Sequence, residues 1–205
     1  MFDPKLIHNC AQLSYQGPIG DEWLDGFYAR YVPLSWGKLI GENLHDPKHE
    51  EPYYRFLYYL AQVRQPQVSL VLGVWMGIDC AHIAKGYPDG LVYGIDHQGH
   101  GGPLEVMRAC PNFTYQLEDT VEWGAQCADL LRGKIGLIFW DSSHLYDDTV
   151  REWGTYRPLL DESAILVFDD VTPAFEIERF FREQEGEHLL FPGLHYGNCI
   201  GVILP

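Results

Sequence analysis

The sequence predicts an α/β fold: a doubly wound sheet of seven strands, mostly parallel with one antiparallel strand near the C-terminus, plus an N-terminal helical cap. Three observations carry this. From Gln67 onward, short apolar runs alternate with segments of helical spacing. The runs are continuous rather than alternating, as in strands buried on both faces of a parallel sheet. Several of them end on a carboxylate, at the edge where open α/β sheets bind ligands.

Size and composition narrow the classes. A chain of 205 residues suffices for one domain with a sizeable core. No apolar run approaches the roughly 20 residues of a membrane helix, and the opening M-F-D-P-K-L lacks a signal-peptide core. A formal charge of −15 argues against nucleic acid, whose binding depends on basic residues. Five scattered cysteines without a C-x-x-C suggest reduced thiols rather than a disulfide scaffold or zinc site. The expectation is a cytoplasmic protein without a membrane or nucleic-acid partner. A homo-oligomer is compatible with the sequence, which does not fix the oligomeric state.

Taken in order, residues 1–66 read as a cap belonging to the same domain as the core at 67–205. Trp23, Phe27, Tyr28, Tyr31, Trp36, Leu39 and Leu44 stand among Gly and Pro, so short helices and loops are expected. Glu50–Val63 is a better helix, with Tyr54, Leu57, Tyr58 and Ala61 on one face and Pro66 ending it. Val68–Leu72 is the first strand, followed by the glycine turn G-V-W-M-G (73–77) and a helix over Asp79–Lys85. Leu91–Ile95 is the second strand, ending in Asp96, and a loop with His97 and His100 follows. Pro103–Cys110 is the next helix and Phe113–Leu117 the third strand. Val121–Leu131 is helical, with Trp123, Cys127, Leu130 and Leu131 as its apolar face.

Ile135–Trp140 and Ala164–Phe168 are the fourth and fifth strands. Between them Tyr146–Leu160 is long enough for a crossover helix, with Val150, Trp153, Tyr156, Leu159 and Leu160 at helical spacing. Phe175–Arg182 is the last helix. Leu189–Phe191 and Cys199–Leu204 have no crossover helix between them, so one must run antiparallel. Trp75 and Trp140 are read as core.

Parallel strands bring Asp141, Asp169 and Asp170 to one carboxyl edge. Three acids there repel one another, and a bound divalent cation is the simplest way to keep all three ionised. The rival role is helix capping, since Asp is a good N-cap. Capping accounts for one acid per strand end but not for the doubled Asp169-Asp170. Asp96, about 20 residues past the glycine turn, is placed to hold ribose hydroxyls, against the rival of a solvated loop aspartate. His144, three residues past Asp141, is a candidate general base or a partner for a loop carbonyl.

The segments V-S-L-V-L-G-V-W-M-G (68–77), Y-G-I-D (93–96), L-E-D-T (117–120), L-I-F-W-D-S-S-H-L-Y (137–146) and L-V-F-D-D (166–170) carry a resemblance. Over residues 50–205 the chain resembles the class I S-adenosylmethionine-dependent methyltransferases. The nearest branch is the small metal-dependent O-methyltransferases acting on catechols and macrolide sugars, whose pattern the cephalosporin-hydroxylase-like proteins share. The resemblance implies a Rossmann-like fold, S-adenosylmethionine, Mg²⁺ or another divalent cation, and a small hydroxylated substrate. For the cofactor it implies Gly73, Val74, Trp75 and Gly77 at the methionine part and Asp96 with His97 at the ribose. It also places Asp119 near the adenine and Asp141 where cofactor and metal meet. Asp141, Asp169 and Asp170 become metal ligands, and His144 acts with Asp141 in catalysis.

Three positions depart from the family pattern: Val71 replaces an acid before the turn, Asp79 a Ser or Thr after it, and Ser142 a glycine. Val71 and Asp79 bear on cofactor affinity, and Val71 points to one alternative, a binding module on this fold that has lost catalysis. A separate alternative is a hydroxylase-like metal enzyme on the same fold.

Overall fold

The sheet of the computed structural model has the order β3-β2-β1-β4-β5-β7-β6. The model describes residues 3–40, 52–195 and 198–204, with residues 32–40 as helix backbone. The strands are β1 (Val68–Leu72), β2 (Leu91–Asp96), β3 (Phe113–Leu117), β4 (Ile135–Trp140), β5 (Leu160–Phe168), β6 (Glu187–Pro192) and β7 (Cys199–Leu204). The first five pair in parallel, and β7 runs antiparallel to both β5 and β6. This is the doubly wound sheet with one reversed strand that the sequence predicts. The helices are α1 (Pro4–Ser14), α2 (Glu22–Ile40), α3 (Tyr53–Arg64), α4 (Ile78–Gly86), α5 (Gly102–Ala109), α6 (Thr120–Leu131), α7 (Tyr146–Tyr156) and α8 (Ile177–Glu183).

Although the central strands are mostly apolar where they cross the core, their side chains still alternate between faces, as the pleat requires. Val71, Leu137, Phe139, Ile165 and Val167 point to one face, where Ile7, Leu24, Phe27 and Phe56 of the N-terminal helices cover them together with α4 and α5. Leu70, Leu72, Ile138, Trp140, Leu166 and Phe168 point to the other, against Trp123 of α6, Tyr156 of α7 and Phe180 of α8. Continuous apolar runs are the consequence of having helices on both sides.

Four expectations need correction. The Gly- and Pro-containing segment after residue 21 is one helix of 19 residues, not several short ones. Burial of Leu24 and Phe27 and stacking of Trp23 on Phe27 anchor its first turns, and such packing overrides weak propensity. On α6, Leu130 is exposed rather than part of the apolar face. On α7, Val150 is exposed while Thr149, Glu152 and Tyr156 face inward. That helix stops at Tyr156, a 3-10 turn takes Arg157–Leu159, and β5 begins at Leu160. Leu44, Glu50, Tyr196 and Gly197 lie outside the described residues, as do the side chains of Trp36 and Leu39. Among the described residues, no helix is long and apolar enough to cross a membrane.

Candidate active site

Parallel pairing in register sets where the acids emerge. Leu72 pairs with Trp140, and Trp140 with Phe168, so the residues that follow leave the sheet together. The ladder runs one step further: the Asp141 amide donates to Leu72 O and the Asp169 amide to Trp140 O, both at 2.9 Å. The chain winds outward from β1 to β2 and β3, then returns to β4 on the other side. The crevice at that reversal is where open sheets of this kind bind ligands. Gly73 sits at its base with φ +84°, and a Cβ there would lie 2.0 Å from the Asp141 carbonyl oxygen. Only glycine permits so close an approach of the two strand ends.

On the β1–β3 side the acids serve the backbone. Asp96 Oδ2 accepts from the Val74 and Trp75 amides, each at 2.9 Å, and Oδ1 accepts from the Gln98 amide at 2.8 Å. It is buried, not a solvated loop residue. Asp119 caps α6, its Oδ1 accepting from Val121 N at 2.9 Å and Glu122 N at 3.0 Å. Beside them opens a cavity of about 430 Å³ lined by Gly73, Trp75, Asp96, His97, Asp119 and Asp141. Trp75 is not core: it is 43% exposed at φ +43° on the cavity wall. Trp140, by contrast, is fully buried. Val74 and Gly77 do not line the cavity. Val74 is buried in the core, and Gly77 heads α4 at φ +76°, where a Cβ would press on Val106 and Pro103.

The β4–β5 side differs. Among the described residues neither Asp141 nor Asp169 caps a helix: the N-cap residues of α7 and α8 are Leu145 and Glu176, and neither makes a side-chain cap bond. Asp141 Oδ1 lies 3.2 Å from His144 Nε2. Asp169 and Asp170 place their Oδ1 atoms 2.8 and 3.4 Å from Nδ1 of His195, and Asn198 donates to Asp170. Burial, then the charge of Asp169, pushes the Asp141 carboxyl well above the usual carboxylate range. The same two causes raise Asp170. Asp79 is also pushed well up, by burial first and then by Asp141.

His144 and Asp170 both adopt left-handed backbone, at φ +56° each, a conformation non-glycine residues hold only when their surroundings impose it. The His144 carbonyl accepts the Ile177 amide, and the Tyr146 amide donates to Glu176, tying the loop to α8. Among the described residues the His144 side chain bonds no loop carbonyl, and its Nδ1 is buried without a partner. A polar atom left this way invites a ligand.

Three residues at the site were not legible beforehand. His195 and Asn198 come from the β6–β7 connection, with no motif around them. Glu152 accepts from Thr120 Oγ1 (2.7 Å), Ser142 Oγ (2.9 Å) and Trp140 Nε1 (3.0 Å), joining α6, the loop after β4 and α7 at the cavity wall. A charged residue between Thr149 and Tyr156 on the inward face was the one available signal.

A model of the methyltransferase domain matches residues 70–171, about half of the chain. No curated protein matches the sequence. Solved structures share the fold. A methyltransferase from Geobacter sulfurreducens superposes with a TM-score of 0.69 at 18% identity, covering 100% of this chain and 96% of its own. The O-methyltransferase TomG from Streptomyces achromogenes, involved in tomaymycin synthesis and solved with S-adenosylmethionine, gives 0.68 at 12% identity, covering 100% and 98%. An O-methyltransferase from Bacillus cereus, solved with S-adenosylhomocysteine, gives 0.65 at 11%, covering 98% and 99%. With the matched model spanning the glycine turn through Asp169 and Asp170, the chain belongs to the class I S-adenosylmethionine-dependent methyltransferases.

Proposed function

We propose that the protein is an O-methyltransferase that binds S-adenosylmethionine in the cavity beside Gly73 and Asp96. It transfers the methyl group to a hydroxyl of a small molecule held at a divalent cation. The observation that carries this reading is the convergence of Asp141, Asp169 and Asp170 beside that cavity, with Asp141 and Asp169 free of helix-capping duty. The donor set fits a hard divalent cation, which takes oxygen ligands and relieves the repulsion that raises Asp141 and Asp170. The two structural neighbours solved with S-adenosylmethionine or S-adenosylhomocysteine support the cofactor.

Methyl transfer is an in-line displacement, so the protein must chiefly align donor and acceptor. Gly73 and Asp141 set the floor of the crevice, and Asp96 fixes the Val74–Trp75 turn that shapes the methionine end. Trp75, exposed at the wall, offers a face against which the cofactor packs. Asp141, Asp169 and Asp170 would hold the cation, which when bound would lower the pKa of the acceptor hydroxyl. His144, held by Asp141 through Nε2, is the imidazole positioned to accept the acceptor's proton. Its left-handed backbone and the α8 contacts keep the ring at the carboxylates.

Titration calorimetry with S-adenosylhomocysteine, in Mg²⁺ and after chelation, tests the reading. The product should bind in both conditions. Methyl transfer to a catechol probe should need the cation and fall about 100-fold in His144→Gln. Absence of binding in either condition removes the cofactor assignment. Transfer that survives chelation removes the cation.

A further inference from the structure

We propose that His195 is a nitrogen ligand of the cation, so that the centre is a mixed carboxylate–imidazole site preferring a first-row transition ion to Mg²⁺. This rests on the reading that the carboxylates hold a cation, and it changes both the ligand set and the metal.

The placement is specific. Ligand atoms of Asp169, Asp170 and His195 all lie within 4.8 Å of one another; Asp169 and His195 are buried, and the Asp170 side chain is 13% exposed. His195 Nδ1 stands 2.8 Å from Asp169 Oδ1 and 3.4 Å from Asp170 Oδ1. Donors about 2.1 Å from one ion at right angles are about 3.0 Å apart, so this spacing is that of neighbouring ligands. Asp141 does not belong to that tight group, but its carboxyl is within hydrogen-bonding reach of Asp169, on the side facing the cavity. This trio therefore forms the closed side of the site, and Asp141 with His144 the side open to substrate.

The imidazole is fixed by the fold. Leu194 O accepts the Tyr53 amide at 3.0 Å, which ties the β6–β7 connection to the start of α3. The Tyr53 ring lies 5.0 Å from the His195 ring, and the Asn198 amide donates to His195 O at 3.2 Å. Asn198 in turn donates its side chain to Asp170. Asp170 reaches the group through its left-handed backbone. A ring clamped this way loses little freedom on binding an ion.

The chemical consequence follows from ligand type. Oxygen-only sites suit Mg²⁺ and Ca²⁺, whereas imidazole raises affinity for Mn²⁺, Fe²⁺, Co²⁺ and their neighbours. A site with one buried imidazole and flanking carboxylates should therefore bind Co²⁺ more tightly than Mg²⁺ by about tenfold or more.

The test is pulsed EPR on the Mn²⁺-loaded protein, alongside Co²⁺ and Mg²⁺ calorimetry. The wild type should show nitrogen coupling to Mn²⁺. His144→Gln should keep that coupling and His195→Gln should lose it. Across the same variants, His195→Gln should weaken Co²⁺ about tenfold or more while changing Mg²⁺ about twofold at most. His188→Gln, a distant control, should change neither. Mn²⁺ bound without nitrogen coupling in the wild type overturns the assignment and leaves the cation reading intact, whether or not His195→Gln folds. Coupling that vanishes with His144 instead also overturns it. If no ion binds while S-adenosylhomocysteine does, the cation reading falls and this assignment with it, and His195 is then an internal partner of the two aspartates.

Discussion

The carboxyl edge of the sheet carries two kinds of aspartate. Asp96, on the β1–β3 side, accepts three backbone amides, and Asp119 accepts two. On the β4–β5 side, Asp169 and Asp170 meet side chains of His195 and Asn198, and Asp141 meets His144. Among the described residues none of these three carboxylates accepts a backbone amide. The first kind builds the loops that surround the cavity. The second is a set of like charges brought together, and burial plus mutual repulsion raise Asp141 and Asp170. A carboxylate that serves the backbone stabilises the fold, whereas the proposed cation would account for the clustered ones.

If that distinction is right, the largest loss of stability should come from Asp96. Asp96→Ala strands the amides of Val74, Trp75 and Gln98, and charge-assisted bonds of this sort contribute about 1.5–3 kcal/mol each without adding fully. Urea unfolding should show a loss of about 4 kcal/mol. A loss under about 1 kcal/mol would mean that the turn holds itself and that Asp96 is kept for the ligand alone.

Acid sensitivity should arise away from both sets of aspartates. His82 on α4 is buried between the rings of Tyr54 and Tyr28, contacts Ile78 O at 2.7 Å, and burial lowers its pKa to about 4. The unfolded chain protonates this imidazole near pH 6.5 and the folded chain only near 4, so stability is full above 6.5 and drains as pH falls. Between those limits the loss is about 3 kcal/mol. Asp141 and Asp170 act with the opposite sign, since carboxyls raised by folding favour the folded state in acid and cost stability as pH rises. Thermal melts of His82→Gln should lack the decline that the wild type shows from pH 6.5 to 4.

How much of this was legible depends on whether a residue's role left a mark in its own neighbourhood. Strands β1, β2, β4 and β5 could be read because covering both faces demands unbroken apolar runs, and the acids were found because they end those runs. Residues whose roles arise only from tertiary packing were not. Helix α2 forms through Gly26, Pro33 and Gly37 because its first turns are packed from outside. Glu152 has no apolar run or turn beside it to mark its role, which comes from Thr120, Trp140 and Ser142 closing around it in the fold. His195 follows the last edge strand by three residues and owes its position to α3. Trp75 was assigned to the core because large apolar rings usually belong there, yet the tight turn between β1 and α4 turns it outward.

Removing a clustered acid should cost binding rather than stability. Asp141→Asn should lower divalent-cation affinity about 100-fold, close to 2.7 kcal/mol. Without cation it should melt at or slightly above the wild-type temperature, because a charge facing Asp169 has gone. Calorimetry and a melt on the same sample separate the two effects. A variant that unfolds like Asp96→Ala would place Asp141 with the loop-building acids.

The smallest effect should be at Asp119, and it is the closest test of the division because this acid both lines the cavity and caps a helix. Asp119→Ala removes the acceptor for Val121 N and Glu122 N, and losing such a cap costs about 1 kcal/mol. Asparagine caps almost as well, so Asp119→Asn should recover stability to within a few tenths of a kcal/mol. If the carboxylate is there for α6, S-adenosylhomocysteine should bind Asp119→Asn about as tightly as wild type. A variant of normal stability whose product affinity drops about tenfold, near 1.4 kcal/mol, would show that its charge also faces the ligand. An acid at a strand end can then do both jobs at once, one oxygen on the helix and the other turned to the cavity.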